Sequence, residues 1–116
     1  MQDWQLEFEW LRIRHSIKEA LGREDLPDLN AILLLIGVQE YGHIKEKFTK
    51  EEKQDLMHIG VCTLLSLDGY FEFKGRDEEG WPHFEEVAAL KVSGVEAQEK
   101  LLMEKVIQYF DQTEEE

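Results

Sequence analysis

Ala31-Ile32-Leu33-Leu34-Leu35-Ile36-Gly37-Val38 carries no polar side chain, in a chain of which 34% of the residues are charged. The segments around it mix charged and apolar residues one-sidedly, as surface helices do. A helix with one wet face shows a stripe, whereas one apolar all round is covered on more than one side. The octet therefore reads as the central helix of a small helical core. It falls far short of the roughly 20 apolar residues that span a bilayer.

Outward from the octet, Asp25 is placed to cap this second helix, with Pro27 in its first turn and Asp28 three residues after the cap. The expected span is Leu26 to Tyr41, with a stop at Gly42. A first helix is expected from Asp3 to Leu21, with Asp3 as its cap and Gly22 as its end. Its stripe is Leu6, Trp10, Ile13, Ile17, Ala20 and Leu21. Trp4, Phe8 and Leu11 widen that stripe sideways, and so broad a face touches more than one neighbour. Leu6 to Trp10 alternates like a strand, but the spacing after it is helical.

Phe48-Thr49-Lys50-Glu51-Glu52 is a capping box, Thr49 and Glu52 being reciprocal partners and Phe48 a hydrophobic staple. The third helix runs from it to about Leu67, with Leu56, Met57, Val61, Leu64 and Leu65 inward. Gly60, lacking a side chain, lets a neighbouring helix come close. Asp68-Gly69 ends the helix, and Tyr70 to Glu86 changes character, with aromatics and glycines set among acids. Phe71 and Phe73 alternate with Glu72 and Lys74, Arg76 to Gly80 reads as a turn, and Trp81 to Phe84 returns as a second strand. A short helix from Phe84 to Leu90 is the alternative. Ser93 with Glu96 makes a second capping box for a last helix from Gly94 to about Phe110, followed by a frayed acidic tail, Asp111 to Glu116.

The expected fold is thus all-α: an irregular bundle of four main helices with a short β-hairpin or ordered loop between the third and fourth, in one domain over residues 1–116. A chain of 116 residues can bury about two-thirds of its unfolded surface without staples. The single cysteine, Cys62, reads as a small buried hydrophobe in a reducing compartment. The opening residues lack the basic-then-apolar pattern of a signal peptide, so the expected location is cytoplasmic. A net charge of −13 argues against nucleic acid or an anionic membrane as partner. The C-terminal third is the most acidic and the middle third the least.

No motif carries a chemistry by itself. Glu40-x-x-His43 and Asp55-x-x-His58 each set a carboxylate and an imidazole one helical turn apart, the spacing used by two-metal sites in helical bundles. With 26 acids and 4 histidines, such pairs are expected by chance, and Gly42 threatens the helix around His43. His83 sits near Asp77, Glu79 and Glu85. Gly80 as the sixth residue of a calcium loop leaves Gly75 as first ligand, which has no side-chain oxygen. Cys62 lies among apolar neighbours that raise a thiol's pKa, and no phosphate-cradling glycine pattern or other cofactor-binding pattern is present.

What remains is the aromatic segment, which either covers the open side of the helices or exposes anchors for a protein partner. Trp81, Tyr70 and Phe71 are the candidate anchors, with Arg76 able to pair a partner carboxylate. The expected function is a small acidic interaction or structural protein, binding a protein partner or a second copy of itself, without enzymatic activity or cofactor. The alternative is a metal-dependent hydrolase or oxidoreductase using Glu40, His43, Asp55, His58 and His83.

Overall fold

The structure, a computed structural model, describes residues 2–43 and 45–115. It has the expected fold class: helices α1 (Asp3–Leu21), α2 (Leu29–Tyr41), α3 (Lys50–Ser66) and α4 (Val95–Glu115), with strands β1 (Phe71–Arg76) and β2 (Pro82–Glu86) between α3 and α4. The strands pair antiparallel, so this segment is a hairpin, and the alternative helix from Phe84 does not form. The chain divides into two compact units, Met1–Leu29 with Val92–Glu116, and Asn30–Lys91. No helix among the described residues is long and apolar enough to cross a membrane.

In the second unit the octet is helical throughout, and none of its residues is exposed. Ile32, Leu33 and Ile36 are buried, as are Leu56, Ile59, Cys62, Leu64 and Leu65 on α3. Two glycines set how α2 and α3 meet. A methyl group on Gly37 would be driven into the carbonyl of Leu56, and one on Gly60 into the carbonyl of Leu33. Each glycine thus lies on the other helix's backbone, four residues from that helix's own glycine, and the crossing is antiparallel. The close approach expected at Gly60 is present, and Gly37 is its counterpart.

The capping box at Thr49 forms as expected. The Glu52 amide donates to Thr49 Oγ1 at 3.1 Å, and the Thr49 amide donates to Glu52 Oε1 at 2.9 Å. Lys45 Nζ lies 2.6 Å from Glu52 Oε2; this hydrogen bond, reinforced by the Thr49 amide, holds the Glu52 carboxyl below its ordinary range. Phe48 packs edge-on to Tyr41, 6.3 Å between ring centres.

In the first unit, α1 buries Leu6, Ile13 and Ile17, while Ala20 and Leu21, expected in the same stripe, are exposed. Val106 and Ile107 are buried on α4. Asp3 faces Lys100 and Arg12 donates to Asp111 Oδ1 at 3.0 Å, so α1 and α4 run side by side in the same direction.

Four expected boundaries move. The residue capping α1 is Gln2, with its amide donating to Gln5 Oε1 at 3.0 Å, and Asp3 instead sits in the first turn, where the helix dipole favours an anion. α2 begins at Leu29 rather than Leu26. The Pro27 carbonyl accepts from Arg14 Nε at 2.8 Å, which holds that residue in an extended link instead of a first turn. Gly94, whose carbonyl accepts from the Gln98 amide at 3.1 Å, takes the cap position of α4. Ser93 is then one residue too early for a box with Glu96. Finally, α4 continues past Phe110 to Glu115, and Arg12 on Asp111 is a tie that no local pattern announces; Glu116 lies outside the described residues.

Gly37→Ala and Gly60→Ala are each expected to destabilise the protein by about 2–3 kcal/mol or more, since a backbone carbonyl cannot step aside as a side chain can. Urea unfolding followed by circular dichroism measures this, with Gly22→Ala, where nothing lies within 4 Å of the added carbon, separating crowding from the φ strain of that left-handed position.

Candidate functional site

The hairpin contains most of the residues that sequence reasoning singles out, and its geometry starts at Asp77. One carboxylate oxygen, Oδ1, accepts from the amides of Glu79 at 2.9 Å and Trp81 at 3.0 Å. The other lies 2.9 Å from His83 Nε2, and because a carboxylate only accepts, the ring nitrogen donates. The His83 bond first, then the Trp81 amide, holds the Asp77 carboxyl below its ordinary range. Three acids in the turn, Asp77, Glu78 and Glu79, therefore do not read as a cation site: the first is spent on the turn's own donors.

Arg76 is the second node. Its guanidinium donates to the carbonyls of Tyr41 and Gly80, each at 2.8 Å, and to that of Glu40. Glu40 and Tyr41 end α2, where carbonyls lack helical partners and the dipole favours a cation. Arg76, itself exposed, thus ties the hairpin to the end of α2. Trp81 completes the joint, stacked on Tyr41 with ring centres 4.2 Å apart and planes 15° apart. It is half-buried. Tyr70 and Phe71 are half-buried as well, and the Tyr70 carbonyl accepts from the Val87 amide at 2.9 Å.

On the ladder, Glu72 stands opposite Glu85, a like-charge pair that is unfavourable alone. Lys74 lies between them, 3.4 Å from Glu72 Oε1 and 3.3 Å from Glu85 Oε2. The Glu85 hydrogen bond is the larger cause that raises the Lys74 ammonium above its ordinary range.

The metal candidates separate. His43 lies beyond the end of α2, so Glu40 and His43 do not share a helix face. Its ring packs on Tyr41, 4.8 Å between centres, and against Gly80, where an added carbon would lie 2.6 Å from its Nε2. Asp55 and His58 do share a face of α3. They line a cleft of about 440 Å³ with Cys62 from α3 and with Asp77, Trp81 and His83 from the hairpin. His58 Nε2 is 3.5 Å from Cys62 Sγ. Burial pushes the Cys62 thiol up to about 11, so it is protonated at neutral pH and a poor nucleophile. Among the described residues, no three histidine, cysteine or acidic side chains are grouped to hold a metal ion.

Sequence reasoning passed over Tyr41, and it placed Asp77 in the turn beside His83 without the capping role. Tyr41, on which Trp81, His43 and Phe48 converge, gives no local signal, because the stack that sets its role is with Trp81, distant in sequence. Asp77 does: an Asp three residues before a Gly is turn chemistry.

The first unit holds a different kind of surface. Trp4 is 68% exposed, Phe8 63% and Leu11 44%, and the exposed His15 continues the row. At 100° per residue these four lie within a narrow arc opposite Leu6, Ile13 and Ile17. The sideways widening noted in the sequence is thus a second apolar face, exposed among the described residues. No protein-family model matches the chain, and no curated protein or solved structure is similar to it.

Two outcomes check the roles of Arg76 and Cys62. Arg76→Lys should speed amide exchange at Gly80 and Trp81 by about tenfold, corresponding to loss of one to two net hydrogen bonds, and leave α3 protection unchanged. Iodoacetamide should modify Cys62 slowly in the native protein and readily in urea, as mass spectrometry reads directly.

Proposed function

We propose that this chain acts by binding another polypeptide through the outward face of α1, and that it performs no catalysis of its own. The observation that carries the reading is the row Trp4, Phe8, Leu11 at i, i+4 and i+7, exposed on a helix already anchored through its opposite face. Tryptophan is the residue most enriched among the anchors that dominate interface energy, and this spacing is how a helix seats apolar side chains in a partner's groove. Leaving two large aromatic rings in water opposes solubility and gives nothing to the fold. A docked surface removes that penalty.

The rest of the molecule supports the same reading. Arg76 and Trp81 have structural work at the end of α2, the Cys62 thiol is protonated, and the Asp77 carboxylate is committed to its own turn. The high acidity then serves solubility, and an acidic protein keeps away from nucleic acid and anionic lipid.

A photo-reactive benzophenone amino acid in place of Phe8, introduced in cells, tests this. The expected result is a covalent adduct with a polypeptide at position 8, none from the same group at Glu51 on the exposed start of α3, and a loss of at least about tenfold on adding Trp4→Asp. Equal labelling at both positions, or no polypeptide adduct at position 8, overturns the reading.

A further inference from the structure

We infer that the polypeptide docking on α1 is a second copy of this chain, with the two α1 helices packed antiparallel about a twofold axis. The inference rests on the docking surface proposed above and adds its occupant.

The outward row falls on a heptad. Phe8 and His15 take the a positions, Trp4 and Leu11 the d positions, and Glu7 and Arg14 the g positions on one flank. An antiparallel pair sets each a against a d of the other helix. Aligned on the exposed row, Phe8 meets Leu11 of the second copy and Trp4 meets His15 of the second copy, and the twofold axis repeats both layers. On the flank, g faces g, so Glu7 meets Arg14 of the second copy, again twice. One helix face is therefore complementary to itself in apolar layers and in charge, as an isologous interface requires.

The structure leaves the flank charges fit for this use. Arg14 is fixed by Nε on the Pro27 carbonyl at 2.8 Å, and a guanidinium has four further N–H donors. Glu7 is exposed. Parallel pairing is poorer on the same residues. It sets His15 on His15 and Lys18 on Lys18, and it asks Glu7 to pair with Arg12, whose guanidinium already serves Glu9 and Asp111. α1 carries Arg12, Arg14 and Lys18 against Asp3, Glu7, Glu9 and Glu19, so it is close to neutral in a chain whose net charge is −13 and repels a second copy less than the rest of the surface does. Two copies bring four aromatic side chains of about 150–250 Å² each, and with Trp4 68% and Phe8 63% exposed these supply roughly 400–650 Å² of the roughly 1,000 Å² of a specific interface, the Leu11 and His15 layers and the flanks adding to it.

Sedimentation equilibrium of the purified chain tests the inference. The wild type should be dimeric in the micromolar range, and Trp4→Asp should be monomeric there. Glu7→Arg and Arg14→Glu, each put in separately, should weaken self-association by roughly tenfold, with circular dichroism showing each still folded. An equimolar mixture of these two variants should dimerise, because one chain then presents two arginines and the other two glutamates. Parallel pairing predicts no such rescue. A wild type that stays monomeric up to about 0.5 mM, or a mixture no more associated than its components, overturns the inference. If the chain is monomeric yet position 8 crosslinks to a polypeptide of another mass, the second copy is excluded and the docking surface stands; if neither occurs, both fall.

Discussion

The contact between the α2 and α3 backbones is the constraint from which the second unit is built. Gly37 on the Leu56 carbonyl and Gly60 on the Leu33 carbonyl bring the helices closer than any side chain permits. At that distance Ile32, Leu33 and Ile36 of α2 are shielded from water, as are Leu56, Ile59 and Leu64 of α3. α2 stops at Gly42, whose φ of 78° is left-handed. Its terminal carbonyls, at Glu40 and Tyr41, are then available to the hairpin that follows α3.

That hairpin illustrates how an acidic sequence folds without its acids becoming a site. Two short strands are marginal by themselves. Here three polar nodes stabilise them: Asp77 organises the turn, Lys74 lies between Glu72 and Glu85, and Arg76 joins the turn to the end of α2. Each node commits a group that composition alone leaves open to chemistry. The Tyr41–Trp81 stack adds the apolar part of the same joint.

α1 poses the opposite case. One face is buried at Leu6, Ile13 and Ile17, and the other presents Trp4, Phe8 and Leu11 to water. Apolar side chains on both faces of a helix suit two sets of neighbours, and among the described residues only the Leu6, Ile13 and Ile17 face is covered. Function on this reading is a matter of surface: an amphipathic face of regular spacing and flanking charges, with no reacting group required.

Helix existence and type were written locally. The octet's uniform apolarity, the Thr49–Glu52 box and the Gly22 stop act through neighbours a few residues away, and each formed as read. So did the hairpin, signalled by the alternation of Phe71 and Phe73. Two boundaries failed where a distant group intervened: Arg14 took the Pro27 carbonyl from the expected first turn of α2, and Arg12 met Asp111 beyond the expected end of α4. The contacts of Arg76 and Trp81 with the end of α2 were illegible for the same reason, since a guanidinium bonding carbonyls 35 and 36 residues back leaves no mark on local spacing. Periodicity and capping are short-range, so they reach the sequence directly. Which carbonyl a given arginine bonds, and which face of α1 stays uncovered, is set by packing between segments far apart in the chain.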